Sequence, residues 1–254
     1  MKIILSPAKK MQEDYDTFIA ADLPVLTEQA EEILTWLRTK SYAELRELWK
    51  CSDKIAEQNV ERLKTMCLNK NLTPAILSYE GIAYQYLAPT VLKDAELSYL
   101  KERLRILSAF YGVLKPMDGV TPYRLEMQAK AKISGCRNLY EFWGDRLYRE
   151  VRDTSGIIVN LASKEYSKCI ESYLAPADTY ITCVFGETVK GKFVTKGTYA
   201  KMARGEMVRY MAENQIEQPE DLKKFDRLHY RYSAQLSSES EYVFERSLTS
   251  SDNS

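Results

Sequence analysis

Ile157-Ile158-Val159-Asn160-Leu161-Ala162-Ser163-Lys164 is the stretch that decides how this chain folds. Its first five residues form a short apolar run rich in β-branched side chains, the pattern of a buried strand. Ser163 then stands where a helix N-cap belongs, ahead of a helix that carries Lys164 and Lys168. Regular repetition of that unit would give a doubly wound sheet, but the neighbouring segments break the alternation. Tyr180–Phe185 and Phe193–Thr195, joined through Val189-Lys190-Gly191, read as a hairpin. Residues 198–214 read as a helix and Tyr242-Val243-Phe244 as a late strand. Upstream, Tyr140, Trp143, Leu147 and Val151 mark another helix. Tyr123–Lys130 alternates strictly, with Tyr123, Leu125, Met127 and Ala129 on one face, which predicts a half-buried strand. Leu97, Leu100, Leu104, Leu107 and Tyr111 recur every three or four residues and predict one helix over 94–110, capped by Gly112 and stopped at Lys115-Pro116. Residues 27–67 read as successive amphipathic helices with Ser52 as a cap, and Lys2-Ile3-Ile4-Leu5 as a short buried strand ended by Ser6-Pro7. No linker or repeat divides the chain. The pattern predicts an α+β fold: one compact domain over residues 1–248, with a mixed sheet surrounded by helices, and a polar tail at 249–254.

At 254 residues, 45% hydrophobic and 28% charged, the chain has ordinary globular composition and enough length for a substantial core. The longest stretch without a charge, Gly81–Leu92, has twelve residues, where a membrane span takes about 20. Only three consecutive apolar residues, Ile3-Ile4-Leu5, precede Ser6-Pro7, short of the run of about 7–15 in a signal peptide. A cytoplasmic protein with no membrane partner is expected. The five cysteines, at 51, 67, 136, 169 and 183, are scattered, which excludes CxxC motifs and argues against a disulfide framework. His229 is the single histidine, so zinc sites of His/Cys type and Ser-His-Asp triads are disfavoured. Neither a metal nor a cofactor is expected. Lys/Arg and Asp/Glu balance at 36 each, but residues 190–231 carry ten against six and residues 1–35 carry three against seven. Such segregation fits a basic cleft framed by acidic ends, or ordinary solvated surface.

The helix at 198–214 carries the strongest chemical signal. At about 100° per residue, Tyr199, Ala203, Met207 and Tyr210 share one side, and Lys201, Arg204 and Arg209 fall opposite with Gly205 among them. A glycine there leaves bare backbone that a phosphate chain could approach; the alternative is a solvated cationic face. The helix start at Ser163-Lys164 offers free N–H groups to an anion, or is simply a capped helix. It is not a P-loop, because the Gly-Lys-Ser/Thr signature is absent. Arg124 and Glu126 share the polar face of their segment, as a phosphate ligand and an acid or base, or as an ion pair. Phe110-Tyr111-Gly112-Val113-Leu114 is a hydrophobic-Gly-hydrophobic turn of the kind that presents backbone N–H groups to a phosphate.

Several of these segments together resemble the YaaA family of bacterial peroxide-stress proteins. The likeness rests on Leu5-Ser6-Pro7-Ala8-Lys9, on Leu107-Ser108-Ala109-Phe110-Tyr111-Gly112-Val113-Leu114-Lys115-Pro116-Met117-Asp118, and on Pro122-Tyr123-Arg124-Leu125-Glu126-Met127. Tyr140-Glu141-Phe142-Trp143-Gly144-Asp145, Asn160-Leu161-Ala162-Ser163-Lys164-Glu165-Tyr166 and Tyr199-Ala200-Lys201-Met202-Ala203-Arg204-Gly205 complete it, in the family's order. The resemblance implies a mixed fold of unusual type and a cytoplasmic protein that limits damage from free intracellular iron under hydrogen peroxide. It also implies binding of double-stranded DNA in a basic cleft, a role a monomer could fill. Carried onto this sequence, it offers Lys9, Arg124, Lys164, Lys201 and Arg204 as phosphate contacts, with Gly112, Ser163 and Gly205 in the same motifs. Lys10 adjoins that set, and helical spacing adds Lys168 and Arg209. The alternative is an enzyme on nucleic acid or nucleotides, such as a glycosylase or lyase. Lys9 would then be an amine nucleophile and Glu126 or Asp118 a general acid or base. Iron sequestration is disfavoured for want of ligands.

Overall fold

The computed structural model describes residues 1–247, so the tail at 249–254 lies outside the described residues. Along the chain the strands are β1 (Lys2–Leu5), β2 (Lys10–Met11), β3 (Thr73–Pro74), β4 (Tyr79–Glu80), β5 (Leu104–Ser108) and β6 (Gly112–Leu114). They continue as β7 (Gly119–Val120), β8 (Ile157–Leu161), β9 (Thr179–Val189), β10 (Lys192–Val194), β11 (Tyr230–Tyr232) and β12 (Glu241–Arg246). The helices are α1 (Thr27–Arg38), α2 (Tyr42–Trp49), α3 (Asp53–Thr65), α4 (Ala75–Ser78) and α5 (Ile82–Leu87). After them come α6 (Asp94–Arg103), α7 (Leu139–Trp143), α8 (Arg146–Val151), α9 (Lys164–Glu171) and α10 (Gly197–Glu213).

Eight strands form one mixed sheet, in the order β11-β12-β9-β8-β1-β5-β6, with β10 paired to β9. Its five central strands, β12, β9, β8, β1 and β5, run parallel, and β11, β6 and β10 join antiparallel. In β1, Ile3 is in register with Leu104 on one side and Val159 on the other. Central parallel strands are covered on both faces, which is why β1 and β8 read as continuous apolar runs rather than as alternating ones. Ile3, Ile4, Ile158, Val159 and Leu161 are fully buried. The α+β class and the mixed sheet therefore agree with the sequence reading. Among the described residues, no helix is long and apolar enough to cross a membrane.

The structure departs from the sequence reading in three places. The helix predicted over 94–110 ends at Arg103, and Leu104–Ser108 instead becomes β5 on the edge of β1. A spacing of three and four fits a helix, but Leu104, Ile106 and Leu107 are all fully buried, and the sheet covers them where one helical seam could not. Gly112 accordingly closes the β5–β6 hairpin at φ +76°, not a helix. Tyr123–Lys130 keeps the predicted alternation of burial but joins no strand, and it turns where the Ala129 amide donates to the Glu126 carbonyl (3.0 Å). The helix expected through Tyr140–Val151 is two, α7 and α8, broken at Gly144, whose φ is +55°.

Candidate functional site

Strands β1 and β8 end side by side at the centre of the sheet, and the segments leaving them help to enclose a cavity of about 400 Å³. Crevices at the carboxyl ends of parallel strands are where such sheets collect ligands. After β1, Ser6 Oγ accepts from the Ser163 amide (2.8 Å) and contacts Ser163 Oγ (3.1 Å), tying the exits of β1 and β8 together. At the end of β8 the Asn160 carboxamide is spent locally, its Oδ1 accepting from the Ala162 amide (2.9 Å). Ser163 holds the N-cap position of α9, but its side chain makes no capping bond. The Tyr84 hydroxyl donates to the Ser6 carbonyl (2.9 Å) and fixes α5 over the strand end. A two-residue ladder between β2 and β4 sets Lys10 opposite Glu80, and their side chains pair at 2.9 Å.

Helix α10 closes one side. It packs on α5 through Gly205, where an added Cβ would lie 1.9 Å from the Ala83 carbonyl oxygen. Gly205 is thus a helix–helix contact and not bare backbone open to a phosphate. That contact brings Lys201 and Arg204 to the cavity.

The charges in the cavity divide into two groups. Glu126 is fully engaged: Oε2 meets Lys9 Nζ at 2.7 Å and Oε1 meets the Arg124 guanidinium at 3.2 Å. Arg124 also donates to the Lys9 carbonyl (3.4 Å), and its Nε is buried without a partner. Arg204 is different. Its Nε too is buried without a partner, and among the described residues no carboxylate pairs with it. Burial holds its guanidinium below its usual basicity. The nearby Cys183 thiol is pushed up to about 12 by burial, so it stays neutral and supplies no counter-charge. Lys201, three residues earlier on α10, is exposed at the rim. Burial also raises the Tyr84 and Tyr166 phenols well above their ordinary range and takes Tyr123 to about 12, so all three are neutral walls. Tyr123 is anchored to Ser108 (2.7 Å) and Tyr79 (3.0 Å).

Of the residues singled out in the sequence, Lys9, Lys10, Arg124, Glu126, Ser163, Lys201 and Arg204 gather at this cavity. The others do not. Lys164 reaches away to Glu171 (3.0 Å), Lys168 lies over the Tyr140 ring (5.1 Å), and Arg209 pairs with Glu213 (2.7 Å). Gly112 sits in the β5–β6 hairpin. Asp118 lies in the loop after β6, only 4% exposed, with its carboxylate accepting from the Lys115 amide (2.8 Å). Tyr84, Tyr123, Tyr166 and Ser6 line the cavity without having been singled out as site residues. Three of them, Ser6, Tyr123 and Tyr166, lie inside the motifs given above, but only the tertiary fold turns them toward one space. Among the described residues, no group of three or more His, Cys, Asp or Glu side chains is placed to hold a metal ion.

Asp118 has a measurable consequence away from the cavity. Burial raises its carboxyl to about 6, against the hydrogen bond from Lys115 and the fields of Lys115 and Arg105. The folded chain therefore holds a proton that the unfolded chain has released, and stability falls as pH rises from about 4 to 6. Asp118→Asn keeps the acceptor for the Lys115 amide and removes the titration. Its denaturation midpoint should stay flat over that window while the wild type's declines, leaving the variant about 1–2 kcal/mol more stable at pH 7. Parallel curves would show that Asp118 ionises in the fold as it does in water.

A sequence model of the family described as peroxide stress protein YaaA matches residues 1–236. A UPF0246 protein of Agathobacter rectalis is 63% identical over 248 residues, covering 98% of this chain and 100% of the relative. UPF0246 proteins of Lachnoclostridium phytofermentans and Pediococcus pentosaceus are 54% and 52% identical, each over 96% of this chain and 96% and 97% of their own length. The chain belongs to the peroxide stress protein YaaA family, a membership that supports a role in oxidative stress.

Proposed function

We propose that this protein binds double-stranded DNA at the basic mouth of the cavity and, in the cytoplasm, limits the damage that free intracellular iron does under peroxide. The observation that carries this reading is Arg204, a half-buried cation whose Nε is buried without a partner and which no carboxylate pairs among the described residues, set among Lys9, Lys10, Arg124 and Lys201. A buried charge without a partner is costly, and a phosphate would supply the missing one. The five cations come from three separate stretches of chain, residues 9–10, 124 and 201–204. A duplex, whose major groove alone is about 12 Å wide, stays outside a cavity of about 400 Å³. Contacts at the rim therefore go to phosphates, and affinity should vary less than about a thousandfold between unrelated duplexes of equal length.

Salt titration tests this. Lys201→Ala removes an exposed rim charge, so it should lower the log–log salt slope of duplex binding by about 0.9 and leave the melting temperature nearly unchanged. A slope equal to the wild type's would remove Lys201 from the interface.

The concave shape of the site supports a second reading, an enzyme acting on a nucleotide or nucleic acid. Lys9 and Glu126 are both in the cavity, whereas Asp118 is not. The lysine's environment is unhelpful to nucleophilic attack: it is 65% exposed and its ammonium is tied to a carboxylate, whereas amine nucleophiles are desolvated or set beside other cations. Glu126 is the better candidate, as a general acid or base. Turnover of an abasic or nucleotide substrate that is lost in Glu126→Gln would establish the enzyme reading.

A further inference from the structure

We infer that the cavity is a receptor for a single nucleotide, its base seated among the apolar and tyrosine walls and its phosphate held by Arg204 and Lys201. This deepens the DNA reading and rests on it only for the source of the nucleotide.

Size limits the occupant. About 400 Å³ is in the range of small-molecule sites, roughly 300–1,000 Å³, and far below what a duplex fills. The lining then divides the ligand into two parts. Leu5, Pro7, Ile82, Leu125 and Leu161 make an apolar surface that a bare phosphate would leave facing water. The rings of Tyr84, Tyr123 and Tyr166 join it, and flat rings suit the flat faces of a base. These walls are set before anything binds, because Tyr84 is tied to the Ser6 carbonyl and Tyr123 to Ser108 and Tyr79. Preorganisation of that kind lowers the cost of binding.

The lining carries five cations against three carboxylates, so the balance favours an anionic group on the other part of the ligand; Glu80 pairs with Lys10, and Glu165 accepts from the Gln128 amide (3.2 Å). Glu126 is occupied by Lys9 and Arg124, and Arg204 has no carboxylate partner among the described residues. Lys201 and Arg204 lie three residues apart on α10, so they project to the same side and address one anion together. Lys9 and Lys10, both mostly exposed, continue positive charge beyond the cavity, where the neighbouring phosphates of a polynucleotide would leave. A nucleotide unstacked from DNA and a free mononucleotide share this chemistry. Unstacking costs least for a base that has no pairing partner.

Titration with four probes and two duplexes decides it. The wild-type protein should bind deoxyadenosine monophosphate at least about tenfold more tightly than deoxyribose 5-phosphate, inorganic phosphate or deoxyadenosine. A duplex with one bulged adenine should bind at least about tenfold more tightly than the fully paired duplex of equal length at the same salt. Ile82→Trp fills the cavity from its edge without touching a charge. It should abolish both preferences and leave paired-duplex affinity and its salt slope unchanged. Mononucleotide binding without a bulge preference supports the receptor and assigns it to free nucleotides. Equal binding of deoxyribose 5-phosphate and the mononucleotide, or no mononucleotide binding together with no bulge preference, overturns the inference. In those cases paired-duplex binding, measured in the same series, decides separately whether the DNA reading stands.

Discussion

Arg204→Met should raise the melting temperature and weaken DNA binding in the same variant. Arg204 is a half-buried cation with a buried, orphaned Nε and no carboxylate partner among the described residues. Replacing buried charge by apolar side chains of similar length is often stabilising, here by about 1–2 kcal/mol, which is about 2–8 °C for a chain of this size. Removing a desolvated charge from an interface costs about 2–5 kcal/mol or more, so duplex affinity should fall at least about thirtyfold. The opposite signs make the variant informative, because a residue kept for structure alone would lose stability and a solvated surface residue would move neither quantity. Arg204→Lys should fall between, keeping the charge and losing the planar fork. A variant that melts lower and binds normally would show that Arg204 is a packing element.

Gly205→Ala, one residue along, should do the reverse to stability. Helix propensity alone favours alanine by about 1 kcal/mol. The contact with α5 opposes it, since the new methyl would meet the Ala83 carbonyl oxygen at 1.9 Å. Backbone cannot step aside as a flexible side chain can, and overpacking of this kind costs about 3 kcal/mol or more, or roughly 6–12 °C. Separating α10 from α5 also moves Lys201 and Arg204 relative to the Tyr84 wall, so binding should suffer with stability. An unchanged or higher melting point would mean that the two helices are not closely packed at this glycine.

The central strands and α10 were legible because each depends on a local pattern. Lys2–Leu5, Ile157–Leu161 and the Tyr242-Val243-Phe244 centre of β12 are short, largely apolar runs, and 198–214 is a long segment whose helical spacing the structure matches, although its buried arc also takes in Gly205 and Val208. Leu104–Ser108 was not legible, because leucines at helical spacing also serve a strand buried on both faces, and the β1 edge that decides between them lies a hundred residues away. The site was legible as a set of cations but not as a place. Lys9, Arg124, Lys201 and Arg204 could be named from motifs, whereas Arg209, Lys164 and Lys168 look equivalent in sequence and turn to Glu213, Glu171 and Tyr140. The basic face read from α10 divides for the same reason: one turn brings Lys201 and Arg204 to the cavity, and Gly205 beside them is consumed by Ala83. What sets Arg204 apart from the exposed Lys201 and from the paired cations is a buried Nε with no carboxylate partner among the described residues, and that is a property of the fold alone.

Thermal unfolding with DNA added, wild type beside Arg204→Met, tests the role of this cavity most directly. At a duplex concentration about a hundred times the dissociation constant, binding to the folded state alone adds about 2.7 kcal/mol, or roughly 5–11 °C. That rise is expected for the wild type, and at most about a third of it for Arg204→Met at the same DNA and salt concentrations. Equal rises in both proteins would place DNA away from Arg204 and contradict the assignment of this cavity.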